Sequence, residues 1–188
     1  MALIVQTFGV VGTLSAATIA VRSYVNSNKR SQETRDRDLE TRQAQLFMNL
    51  FNSFINEETL KIDFELMEWR WKDFDDYEAK YGSKNNPEAT VKMHSLHYRL
   101  DCVGWLVKCG VIDPEWVYNQ LGGFILYHWL KFKSIIYEDR KRTGLTNYYE
   151  NFEHLAGVCD GIGKVKGSSL ETIRVGNSKW FSEQSSVD

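Results

Sequence analysis

His94, His97 and Asp101 fall at i, i+3 and i+7, so a helix through them places all three on one face. Imidazole and carboxylate together are ligands for zinc or iron. The pattern is incomplete as a metal motif. HExxH is absent, and so is the Glu-x-x-His pair of di-iron helical bundles. His128 and His154 can join the set only if the fold brings them near. The three residues are therefore expected to be polar groups on a partly wet helix face, with no metal, no cofactor and no catalytic residue. A second chemistry would be a Cys–His nucleophile pair built on Cys102 or Cys109. Both lie beside Val103, Leu106 and Val107, and thiols buried in apolar surroundings are inert. Cys102, Cys109 and Cys159 are expected to be reduced and mostly buried. No GxSxG, P-loop or GxGxxG occurs. The Gly122-Gly123 pair reads as a hinge between two helices, not a phosphate cradle.

The elements that must hold these residues are helical. Asn56 precedes Glu57 and Glu58, a helix cap followed by first-turn acids, and Asp73 reads as the cap of a short helix bearing Phe74, Tyr77 and Tyr81. Asn86-Pro87-Glu88 and Asp113-Pro114-Glu115 are stronger starts: cap, proline at the first position, acid in the first turn. The first should run to about Cys109, the second to Gln120. A separate helix is expected from Leu121 to about Arg142, and a last one capped by Thr146 with Tyr148, Phe152, Leu155 and Cys159 on its face. No alternating pattern of useful length argues for a sheet.

The N-terminus carries a different signal. No charged residue occurs between Met1 and Val21. About 20 apolar or small residues match the hydrocarbon thickness of a bilayer. No basic residue precedes the run, which argues against a cleaved signal peptide. Arg22, Lys29, Arg30, Arg35, Arg37 and Arg42 all follow it, so the positive-inside rule places the N-terminus outside and the bulk of the chain in the cytoplasm. Gly12, Ala16 and Ala20 recur every four residues, a stripe on which another membrane helix could pack closely. The segment from Asn26 to Asp38 has no apolar residue. Glu33/Arg37 and Asp38/Arg42 are favourable i,i+4 pairs, so it reads as a charged helical stalk.

The fold class expected is all-α: a transmembrane helix (1–24), a polar stalk (25–45), a cytoplasmic bundle of about five helices (46–160) and an irregular tail (161–188) tethered by Trp180 and Phe181. A net charge of -2 excludes recognition of nucleic acid through a global basic field. With 43% apolar residues, wholesale disorder is excluded too. Between Glu57 and Tyr81, acids interleave with Trp69, Trp71, Phe74, Tyr77 and Tyr81. That is either an acidic docking surface or a packed helix pair with a solvated acidic face, and packing is the preferred reading. Lys131, Lys133, Arg140, Lys141 and Arg142 form a basic group suited to a helix C-terminus.

Four stretches together resemble a family of short prokaryotic proteins known as domain of unknown function 4760. They are RSYVNSNKR after the apolar run, ETRQAQLFMNLFNSF, EWRWKDFDDYEAKYG, and GWLVKCGVIDPEW from Gly104 to Trp116. The resemblance covers roughly residues 1–157. It implies a membrane-anchored helical protein of a bacterium or archaeon and carries no assigned activity or functional residue. The expected function is a non-catalytic accessory or scaffold subunit of a membrane assembly, docking on other membrane helices or a second copy of itself. The alternative is a small membrane-bound sensor or enzyme with a metal or ligand site in the bundle. A convergent pocket of histidine and carboxylate would favour the alternative; exposed aromatic clusters without such a pocket would favour the first.

Overall fold

The computed structural model describes residues 2–167, 170, 171 and 173, with side chains described from Arg22 onward. These residues are all-helical, without a strand. The chain divides into two compact units, 1–45 and 46–188. Six helices follow one another: α1 (Ala2–Ile55), α2 (Glu57–Glu68), α3 (Phe74–Tyr81), α4 (Pro87–Lys108), α5 (Pro114–Thr143) and α6 (Glu150–Lys166).

In the first unit α1 carries a side-chain row from Arg22 to Arg42 that is exposed throughout. With no glycine or proline between Arg22 and Arg42 and no burial, its helicity rests on local propensity and spacing, Thr34 and Thr41 bonding back to the carbonyls one turn earlier. Among the described residues no helix is long and apolar enough to cross a membrane. The apolar run before Arg22, with Gly12, Ala16 and Ala20, lies outside the residues whose side chains are described, as do Trp180 and Phe181.

In the second unit the caps expected from local sequence are formed. Asn56, Asp73, Asn86 and Asp113 each accept a hydrogen bond from a backbone N–H in the first turn of α2, α3, α4 and α5. The core is one cluster in which α6 packs against both α4 and α5. Leu96, Leu100 and Val103 of α4 meet Ile125, Leu126, Trp129 and Phe132 of α5 and Phe152, Leu155 and Cys159 of α6. Each such side chain contributes roughly 1.5–3 kcal/mol of burial. The last part of α1 joins this core, with Phe47 against Trp116 and Phe54 against Phe124.

Five expectations are corrected. There is no hinge at Gly122-Gly123: α5 is continuous from Pro114 to Thr143. Val117, Leu121 and Ile125 bury on one face across that point, and their packing outweighs about 1 kcal/mol of lost helix propensity per glycine. Gly122 is there for space, because a Cβ would meet the Tyr118 ring at 2.8 Å. Thr146 does not cap the last helix; α6 begins after Tyr149, at φ 55, with no side-chain cap of its own. That helix also continues to Lys166, past the point where the tail was expected to start. Cys102 and Cys109 are exposed, and Cys159 alone is buried, its thiol pushed up to about 12 by desolvation. Lys131 is not at a helix end: it is buried and donates to the Met67 and Trp69 carbonyls at 2.8 and 2.9 Å. It thereby serves the C-terminal carbonyls of α2, which has no basic residue in its last turn. Burial pulls its pKa down to about 7.

The aromatic residues between Trp69 and Tyr81 are interior. Trp69 and Tyr77 are buried, and Trp69 stacks on Tyr81 with centroids 4.1 Å apart. They join α2 and α3 to Phe132 of α5, which leaves the acids as the solvated face.

Candidate functional site

A cavity of about 480 Å³ opens between α3, α4, α5 and the turn before α6. Its aromatic wall includes Tyr77, Tyr81, Phe132, Tyr148 and Tyr149. Its polar lining includes His94 and His97 from α4 and Asp139 and Arg142 from α5. The four residues after Gly144 fold into a turn that brings Tyr148 and Tyr149 back over α4. Tyr149 takes a left-handed backbone here, uncommon for a non-glycine residue and held only where the surrounding structure over-determines it.

The three residues singled out by spacing do share a face of α4, but the structure gives each a different task. Asp101 accepts from the backbone N–H groups of Asn151 and Phe152, both at 2.9 Å, and from Asn151 Nδ2 at 3.1 Å. It is the missing cap of α6, supplied from another helix. His94 Nδ1 lies 2.6 Å from the Tyr149 hydroxyl and 2.9 Å from that of Tyr148. Burial holds this imidazole below its ordinary pKa, so it is neutral beside the two hydroxyls. His97 is fully buried, and neither ring nitrogen has a hydrogen-bond partner among the described residues. The three therefore do not converge on a common ion, and no group of three potential metal ligands occurs among the described residues.

His97 sits in an aromatic box. Its ring centroid is 4.7 Å from that of Phe132, 5.4 Å from Phe152, 5.7 Å from Tyr149 and 5.6 Å from His128. His128 donates from Nε2 to Asp63 at 2.7 Å. Burial pushes the His97 pKa well below 6.5 and lowers that of His128 too. The sign of the pH effect follows. Below about pH 6.5 the unfolded chain takes up protons that these imidazoles refuse in the folded bundle, so stability falls as pH falls through 6.5. Each excluded proton steepens the loss toward about 1.4 kcal/mol per pH unit. His97→Phe, which keeps the ring and removes the two orphan nitrogens, should raise stability at neutral pH by about 1 kcal/mol. It should also flatten the profile between pH 6.5 and 5. Urea unfolding at several pH values measures both; an unchanged slope would show that His97 is not the excluded site.

Asp139 completes the polar lining. Its carboxylate has no hydrogen-bond or ion-pair partner among the described residues, and burial raises its pKa. Arg142, by contrast, is engaged by Asp75 at 2.6 Å and Glu138 at 3.0 Å, and lies over the Phe74 ring. The site is poor in reactive groups. Desolvation pushes the Tyr77, Tyr148 and Tyr149 hydroxyls up, so they stay protonated at neutral pH and cannot serve as bases. The buried thiol of Cys159 does not line the cavity. The arrangement is equipped to hold a molecule, with donors and acceptors at its polar end and aromatic faces elsewhere.

Sequence reading overlooked Asp139, Tyr148 and Tyr149 as a site. One signal was present: Phe132, Ile135 and Ile136 lead by helical steps to Asp139, an acid on an otherwise apolar face.

An all-α bundle with a histidine-lined cavity, preceded by a long charged helix, is the class this architecture defines. The chain belongs to the family described as domain of unknown function (DUF4760), whose model matches residues 3–157. No curated protein matches the chain, and neither does any solved structure.

Proposed function

We propose that this protein is a small-molecule sensor or binding module whose bundle is held at a membrane by its N-terminal helix. The observation that carries the proposal is the cavity itself, about 480 Å³ walled by aromatic rings with the unpartnered Asp139 carboxylate at its polar end. A cavity of this size lies in the range of small-molecule sites, and a half-buried carboxylate without a partner gains from a ligand that supplies one. The anchor rests on the uncharged run before Arg22 and the six basic residues from Arg22 to Arg42. Their order favours an outside N-terminus and a cytoplasmic bundle.

The accessory-subunit reading keeps one support. Val91, Tyr98, Cys102 and Trp105 are exposed at helical spacing along α4, an apolar row that suits a protein partner.

Thermal unfolding of the full chain in mild detergent, screened against small molecules, tests the binding reading. A ligand at about 100 times its Kd stabilises by about 2.7 kcal/mol. That gain should vanish in Ser83→Trp, which places an indole at the exposed edge of the cavity. Compounds that stabilise the variant equally, or a screen in which none stabilises the wild type, would sink the reading.

A further inference from the structure

The geometry points to an organic ammonium, an amine carried on an apolar or aromatic body, as the ligand class of the cavity. This rests on the binding reading above and adds its chemistry. Three observations support it. The first is charge. Of the charged side chains on the wall, Arg142 is already engaged by two carboxylates, while Asp139 has no partner and Glu78 adds a second negative charge. An anionic ligand would meet Asp139 without a free cation to offset it. An ammonium would give a partly desolvated carboxylate the partner it lacks.

The second observation is the wall itself. Phe132, Tyr77, Tyr81, Tyr148 and Tyr149 present ring surfaces, and the negative face of an aromatic ring attracts a cation within about 6 Å. The same rings accept the apolar body of the ligand. The third is the pair of imidazoles. His94 and His97 are neutral in the folded protein. They therefore bring no opposing positive charge to the cavity. The cavity, at about 480 Å³, lies in the range of small-molecule sites.

The test uses ligand-observed NMR and titration calorimetry on the full chain in mild detergent near pH 7. Three probes share one aromatic body: 2-phenylethylammonium, the neutral 2-phenylethanol and the anionic phenylacetate. The ammonium should bind at least about tenfold more tightly than the alcohol, the scale of one charge-assisted contact. Phenylacetate should not bind measurably. Asp139→Asn should remove that preference and leave the affinity for 2-phenylethanol unchanged. Because the Asp139 carboxylate has no hydrogen bond or ion pair among the described residues to lose, the variant should melt no lower than the wild type. Equal binding of ammonium and alcohol, or an ammonium affinity indifferent to Asp139→Asn, would overturn the ligand class while the cavity remained a binding site. Tighter binding of phenylacetate would do the same. Binding of none of the three would remove the ligand class, and a failed wider screen alongside it would remove the binding reading as well.

Discussion

Gly104→Ala should destabilise the bundle by about 3 kcal/mol or more, because its added methyl meets the tightest contact of the described glycines. Gly104 lies on α4 where α6 crosses it. A Cβ built there would sit 2.0 Å from the backbone carbonyl oxygen of Asn151, 2.6 Å from its carbon and 3.2 Å from Leu155 Cβ. The first two are backbone atoms at the start of α6, so no side-chain rotation relieves the clash. The helices must part, and with them the contacts of Leu100 and Val103 with Phe152 and Leu155, all buried. Gly123→Ala is the internal control. It too lies within a helix, but nothing stands within 4 Å of the added methyl. There the higher helix propensity of alanine should stabilise by up to about 1 kcal/mol. For a chain of this length 3 kcal/mol corresponds to a melting shift of roughly 6–12 °C. Circular dichroism in detergent should show Gly104→Ala melting lower by that amount and Gly123→Ala melting no lower than the wild type. Equal melting of the two variants would show that α4 and α6 approach less closely than the structure has them.

The contrast between these two glycines shows what a sequence can and cannot reveal. Asn56, Asp73, Asn86 and Asp113 were legible as caps because each acts on N–H groups two or three residues away. The charged part of α1 was legible for the same reason, since what sets its helicity acts within one turn. Gly104 looks no different from Gly123 in sequence, since what sets them apart is Asn151, 47 positions along the chain. The supposed hinge at Gly122-Gly123 failed on the same ground: local propensity favoured a break, and burial on both sides overrode it. The spacing of His94, His97 and Asp101 correctly placed them on one face, yet said nothing of what faced them. One met two tyrosines, one met an aromatic box, and one met the start of another helix. The cavity was least legible of all, because Tyr148, Tyr149 and Asp139 reach it from two segments that only the tertiary fold brings to α4.

Asp101→Ala should cost about 2 kcal/mol, although the residue is neither fully buried nor part of an ion pair. The reason lies in how α6 starts. The first N–H groups of a helix have no partner within it, and Tyr149 at the cap position has no side-chain oxygen placed to accept from them. Asp101 accepts from two of them with one carboxylate oxygen and from the Asn151 amide with the other. Its negative charge also stands at the positive end of the α6 dipole. Truncation leaves those donors without an acceptor beside a packed interface. It also loosens the turn that holds Tyr148 and Tyr149 over His94, so the damage should spread to the cavity. Asp101→Asn retains an acceptor oxygen but loses the charge, and should fall between wild type and alanine. Urea unfolding should therefore rank aspartate above asparagine above alanine, with about 1 kcal/mol per step. Hydrogen exchange should place the added opening at the first turn of α6, with α2 and α3 protected as before. If alanine proved as stable as aspartate, water would have to cap α6 equally well, and α4 and α6 would be joined by their apolar faces alone.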